Sequence, residues 1–332
     1  MPTDRSPPGR RRALQLLPLA ALATPYRLAR AAERPLRLVV GFAAGGSLDL
    51  IARALAERLR EELGQPVIVE NKAGAGSLLA AETVARAEPD ATTLLIAPVV
   101  VTAFFPHLYR KLSFDPLKDL VPVAQLGTFQ FALAVGARDP APDLAAFVRR
   151  AKANPGKGTF GSVSPGTPSH FLGVMFNRAV GTDLQHVPYK GAAPALTALQ
   201  GGEIESAFVP AGNVVELQRA GRVKVLAVTG RTRSPMLPDV PTFDEGELAL
   251  KAMQDASLWY GFFAPARSTP ADVERLSAAL ARALANPEVA SRVSKLDVAV
   301  AHLPPADFAR VVRRDAEQWG AVIRASGFTL SD

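Results

Sequence analysis

Residues 36–53, LRLVVGFAAGGSLDLIAR, restrict the possible folds more than any other part of the chain. The apolar run from Leu36 to Val40 reads as a buried strand, broken at Gly41 and again at Gly45-Gly46. Ser47, a good N-cap, then opens a helix with apolar residues at 48, 51, 55 and 59. Strand, glycine turn and helix N-terminus together gather backbone N–H groups and the positive end of a helix dipole at one spot, where an anion can sit. The same run also fits an ordinary strand-to-helix turn, and the residues leave both readings open. No Lys follows the glycines and their spacing does not fit G-x-G-x-x-G. The loop is therefore neither a Walker phosphate loop nor a dinucleotide fingerprint.

Short apolar runs and helical periodicity alternate along the rest of the chain, which predicts α/β layers with largely parallel sheets. Strands are expected at 66–70, 92–96, 120–125, 131–135, 158–162, 185–187, 204–209, 223–228 and 262–264. Ser77, Asp143 and Thr269 are expected to cap helices, Asn286-Pro287 and Pro304-Pro305 to begin two more, and residues 97–120 to be irregular. The turn at 164–168, SPGTP, opens a second helix much as the first glycine loop opens its own. Two lobes would let both loops face one cleft. One large doubly wound sheet is the alternative.

The N-terminus has the order of an export signal: Arg10-Arg11-Arg12, an apolar stretch over 13–23, then small residues at 21–23 and 29–31. The stretch is too short to span a bilayer, and the paired arginines favour the twin-arginine route. Residues 1–32 hold six of the arginines and one Asp, so a chain of net charge +7 leaves a mature part near +2. That balance does not suit nucleic-acid binding. The remaining length is enough for two lobes with separate cores.

Catalytic chemistry is hard to find. The four histidines, at 107, 170, 186 and 302, are not spaced as metal ligands. There is no cysteine and no G-x-S-x-G elbow, since 161–164 reads GSVS. Asp49 falls in the first helical turn, where favouring the dipole competes with a ligand role. His170 lies just inside the second helix-opening turn, where a structural histidine is commoner than a ligand contact. An exported, two-lobed protein without a nucleophile–base constellation points to binding, with no enzyme activity, metal or cofactor expected.

Ten pieces in sequence order then become recognisable. They include VGFAAGGSLDLIAR at 40–53, GQPVIVENKAGAG at 64–76, GSVSPGTPSH at 161–170, HVPYKGAAPAL at 186–196, LPDVPT at 237–242 and LWYGFFAP at 258–265. In these the chain resembles the substrate-binding receptors of tripartite tricarboxylate transporters, the Bug family. The resemblance implies a type II periplasmic-binding-protein fold (Venus flytrap), an α/β architecture whose two lobes are each a mixed sheet flanked by helices. Residues 1–32 would be the signal, 33–125 with 229–332 the first lobe, and 126–228 the second.

The resemblance also implies that two loops hold a ligand carboxylate. The first would supply Ala43, Ala44, Gly45, Gly46, Ser47 and Asp49. The second would supply Ser162, Ser164, Gly166, Thr167, Ser169 and His170, with Tyr189, Gly191 and Ala192 beside it. Selectivity would come from around 97–102, 189–192 and 208–213. Val209 and Pro210 stand where the family commonly has an acid, which implies a ligand without an ammonium group. The expected partners are a small organic mono- or dicarboxylate and the membrane subunits of a transporter, the receptor itself being a monomer with no affinity for nucleic acid. The alternative role is a periplasmic sensor feeding a membrane kinase. An exported hydrolase and the effector domain of a transcription regulator fit the residues less well.

Overall fold

The computed structural model describes Met1, residues 34–254, 256 and 258–330. The expected export signal, apart from Met1, lies outside the described residues.

The chain builds two sheets and passes between them twice. Strands β1 (Leu36–Val40), β2 (Val67–Asn71), β3 (Thr93–Pro98) and β4 (Leu120–Thr128) belong to the first sheet. Strands β5 (Phe131–Gly136), β6 (Thr159–Ser162), β7 (Gln185–Pro188), β8 (Ser206–Pro210) and β9 (Val223–Val228) form the second. Strands β10 (Trp259–Pro265) and β11 (Ala299–Leu303) return to the first. The orders are β11-β4-β10-β3-β1-β2 and β7-β6-β8-β5-β9. Helices flank both, giving the two-lobed α/β fold.

The expectation of largely parallel sheets is corrected. Pairs β1–β2, β1–β3, β6–β7 and β6–β8 are parallel, whereas β10 pairs antiparallel with both β3 and β4, β11 with β4, and β5 with β8 and β9. The antiparallel pairs arise where the chain crosses, because a strand re-entering from the other sheet runs backwards. The parallel pairs matter for the site. They bring the C-terminal ends of β1, β2 and β3 to one edge of the first sheet, and those of β6, β7 and β8 to one edge of the second.

Local signals account for many boundaries. Asp143 accepts from Ala146 N–H at 2.8 Å and Thr269 from Asp272 N–H at 3.2 Å, each capping the helix that follows. Other expectations fail. The helix Ser47–Leu63 has Gly46 as its cap residue and Ser47 inside its first turn. Ser77 stands at the cap of Leu78–Ala85 but makes no capping bond; its φ is +88° and its hydroxyl is buried without a partner. Residues 97–120 contain two short helices, Val100–Ala103 and Phe105–Leu108. They form because Phe104, Phe105 and Leu108 are buried against the core, which local propensity does not show. Strand β11 was not expected at all.

An aromatic core ties the layers together. Phe104 packs on Trp319 at 4.7 Å and Phe171 at 5.8 Å, and Trp259 meets Phe308 edge-on at 4.9 Å. Trp259 Nε1–H donates to the wholly buried carboxylate of Asp315 at 2.7 Å, and Arg314 pairs with the same group at 2.7 Å. Asp315→Ala would leave the indole N–H buried and unsatisfied, at a cost of about 1–3 kcal/mol. The expected melting temperature is lower by roughly 2–10 °C, read by calorimetry, with the fold retained by circular dichroism.

Candidate functional site

The first loop leaves β1 at Gly41 and enters the helix Ser47–Leu63. Gly45 has φ +84°, a left-handed conformation that glycine adopts without strain, whereas Gly46 is extended at φ −73°. Ala43, Ala44, Gly45, Gly46 and Ser47 are exposed, and Asp49 is buried. Asp49 holds the loop. One oxygen accepts from Gly45 N–H at 2.8 Å and from Arg53 Nε at 2.9 Å, and the other from Asn71 Nδ2 at 2.9 Å. Asn71, at the end of β2, also donates to the Phe42 carbonyl at 3.0 Å. The Arg53 guanidinium, helped by the Gly45 and Asn71 donors, lowers the Asp49 pKa from 3.8 to about 2 against the opposing effect of burial.

Two N–H groups of this loop are already used. Gly45 donates to Asp49, and Gly46 donates to the Ala43 carbonyl at 3.3 Å. The first intrahelical bond runs from Leu50 N–H to the Gly46 carbonyl at 3.0 Å. The N–H groups of Ser47, Leu48 and Asp49 precede it and converge at the helix opening. With Asp49 neutralised by its own partners, the helix end keeps its positive character toward the loop.

The second loop is folded more tightly. Ser162 ends β6, and the helix Pro168–Val180 begins after Thr167. The Ser164 carbonyl accepts from Ser162 Oγ at 3.3 Å and Thr167 Oγ1 at 2.7 Å. Ser169 Oγ accepts from Val163 N–H at 3.0 Å and donates to the Phe208 carbonyl on β8. Gly166, at φ +72°, donates its N–H to His170 Nδ1 at 3.3 Å. The segment after β7 joins this cluster: Tyr189 N–H donates to the Ser162 carbonyl at 3.0 Å and Gly191 N–H to that of Val163 at 2.7 Å. Ala192 then opens the next helix, with Gly191 as its cap residue. Ser162, Ser164, Gly166, Thr167, Ser169, His170, Tyr189, Gly191 and Ala192 thus form one assembly on the second sheet. Ala43 to Asp49 form another on the first, and the hydrogen bonds of each assembly close on its own sheet.

Three residues that hold these loops were not among the predicted ones. Arg53 could have been found from its i+4 spacing to Asp49. Asn71 and His186 could not, because both act through tertiary contacts. His186 Nε2 lies 2.7 Å from Ser162 Oγ, and its ring stacks on His170 at 3.9 Å. Burial lowers the pKa of both rings, His170 to about 4 with a contribution from His186 beside it.

Of the segments expected to confer selectivity, 97–102 follows β3 at the edge that carries the first loop, and 189–192 and 208–213 lie at the edge that carries the second. Gly212 N–H donates to Asp297, from the first sheet's side, at 2.6 Å; burial raises that carboxyl to about 6. A groove of about 830 Å³ runs along the crossings between the sheets, past Phe129, Gln130, Ser234, Leu258 and Asp297. None of the predicted residues lines it.

The sequence matches the tripartite tricarboxylate transporter family receptor over residues 51–328. Solved structures agree. The periplasmic binding protein BugD is 31% identical with a TM-score of 0.70, covering 90% of this chain and 99% of its own. MatC from Rhodopseudomonas palustris, solved with bound malate, is 32% identical with a TM-score of 0.70, covering 88% and 99%. An R. palustris protein solved with adipate is 27% identical with a TM-score of 0.75, covering 90% and 98%.

The bracing of the first loop by Asp49 has a measurable signature. Its folded pKa lies below the unfolded value of 3.8, so its contribution to stability is present above that pH and lost as pH falls toward about 2. Asp49→Ala is expected to destabilise the protein by about 1.5–3 kcal/mol at neutral pH, the range for hydrogen bonds to a charged group. In denaturant titrations the gap between variant and parent should narrow as pH is lowered through that window. A gap independent of pH would refute the assignment.

Proposed function

Because the chain belongs to the tripartite tricarboxylate transporter receptor family, we propose that it captures a small organic mono- or dicarboxylate in the periplasm and delivers it to the membrane subunits of such a transporter. It is a solute-binding receptor and not an enzyme. The observation that carries the carboxylate reading is the helix opening at Ser47. There, backbone N–H groups precede the first intrahelical bond, while the adjacent Asp49 carboxylate is turned away onto Gly45, Arg53 and Asn71. On this reading the Ser162–His170 loop supplies hydroxyls and N–H groups from the other lobe. The lobes close about the two crossings between the sheets. The malate and adipate held by the two R. palustris relatives support the ligand class. Val209 and Pro210, apolar at the end of β8, favour acids without an ammonium group.

A thermal-shift panel of mono-, di- and tricarboxylates tests the ligand class. At 100-fold excess over its dissociation constant a true ligand stabilises by about 2.7 kcal/mol, a melting shift of roughly 5–10 °C. Acids lacking an ammonium group should outnumber amino acids among the hits. A panel in which only sugars or cations shift the melt would sink the proposal.

The loops are tested by substitution. A Cβ at Gly46 would sit 3.3 Å from the Ala43 carbonyl and crowd the helix opening, so Gly46→Val is expected to abolish binding. Thr167→Ala removes one hydroxyl and should weaken binding by about tenfold or less. Calorimetric titration reads both, with circular dichroism as the control for folding. Parent-like affinity in Gly46→Val would show that the carboxylate does not sit on this loop.

A further inference from the structure

We propose that His186, which lies in neither loop, is a positioning residue for the second one, acting through Ser162 and through a neutral stack with His170 that a proton breaks. The proposal rests on the reading that this loop contributes to carboxylate binding.

Four rings form a continuous pile beneath the loop. Phe160 stacks on His186 at 5.0 Å, His186 on His170 at 3.9 Å with 11° between the planes, and His170 on Phe171 at 4.8 Å. Phe328 closes the side of His170 edge-on at 4.9 Å. Each imidazole holds a different part of the loop. His186 Nε2 meets Ser162 Oγ at 2.7 Å, where the loop leaves β6. His170 Nδ1 accepts from Gly166 N–H at 3.3 Å, at the left-handed glycine of the turn.

The second bond fixes the tautomer. An Nδ1 that accepts a hydrogen bond carries no proton, so the neutral ring is protonated at Nε2. A further proton can go only to Nδ1, the atom at which Gly166 N–H points, and would expel that donor. Among the described residues, no carboxylate acts on either ring to hold the resulting charge. The rings are faced by Phe160 and Ser162 from β6, Gly166 from the loop, Phe171 from the helix that follows and Phe328 from the segment after the last helix. Tyr189, against Gly161, is the other titratable group of the cluster. Among the described residues, His186 is the titratable group that acts on the His170 ring, and burial alone shifts His186. Two imidazoles at this separation suit neutral rings and repel when both are protonated.

The sign follows. In the unfolded chain His170 takes its proton near 6.5, and in the folded protein only near about 4. Order in the loop is therefore complete above the unfolded value and lost as pH falls through the folded one.

The test uses the ligand-free protein and two acids, malate and adipate. Proton NMR of the imidazoles should show both titrating below the usual histidine value, His170 near about 4, and Gly166 amide protection should disappear across the His170 midpoint. In His186→Phe the stack keeps its volume but loses the Ser162 bond and the neighbouring charge. The His170 midpoint should then rise, Gly166 protection should fall at neutral pH, and the affinity for whichever acid the parent binds should drop about three- to tenfold. His186→Gln, whose amide can still reach Ser162, should recover most of the affinity. A His170 midpoint at the ordinary value in the parent would overturn the proposal. So would an unchanged midpoint and unchanged Gly166 protection in His186→Phe and His186→Gln. If the parent binds neither acid, the affinity arm passes to the best hit of the carboxylate panel, and the NMR and exchange arms decide the role of His186.

Discussion

Strand β10 enters the first sheet between β3 and β4, and the rest of the molecule depends on that insertion. It pairs with β4 along its whole length, from Trp259 opposite Thr128 to Pro265 opposite Leu120. The strand by which the chain leaves the first sheet thus lies directly beside the strand by which it returns. The crossings are bonded to each other: Phe129 N–H donates to the Leu258 carbonyl at 3.0 Å, and the Phe129 ring stacks on Tyr260 at 4.6 Å. Two paired segments, and not a lone linker, therefore join the two sheets. Trp259, anchored through its indole N–H to Asp315, fixes the start of the returning strand to the last helix.

The two loops at the sheet edges solve the same problem in different ways. Each must hold a bend between the end of a strand and the start of a helix. The first is exposed and kept in shape by one carboxylate, whose three donors come from the loop, its own helix and the neighbouring strand. The second is largely buried, braced by hydroxyls on carbonyls and by two imidazoles. The first resists acid because its anchor stays ionised down to low pH. The second resists acid only as long as its rings stay neutral.

The sequence was most legible where structure is local. The run from Leu36 to Val40, the caps at Asp143 and Thr269, and the helix starts at Asn286-Pro287 and Pro304-Pro305 depend on neighbours within a few residues. Each was readable from the residue types alone. Ser47 misled because the helix starts one residue earlier than its type suggests, with Gly46 as the cap residue and Ser47 inside the first turn. Strand β11 was hidden because its five residues are only partly buried at a sheet edge. The braces Asn71 and His186 could not be read, since a polar residue carries no mark of which distant group it will reach. The order of recognisable segments supplied the overall architecture, which periodicity alone left open between two lobes and one sheet.

The contacts made after the last helix bear on how the molecule is completed. Phe328 walls one side of His170, a Cβ at Gly166 would lie 3.3 Å from the Phe328 ring, and Leu330 donates its N–H to the Leu108 carbonyl at 3.0 Å. The second loop thus has one wall supplied by residues translated long after the loop itself. Shortening the chain ahead of Phe328 would therefore remove a wall of the second loop and leave in place all three donors of the first loop's brace, which end at Asn71.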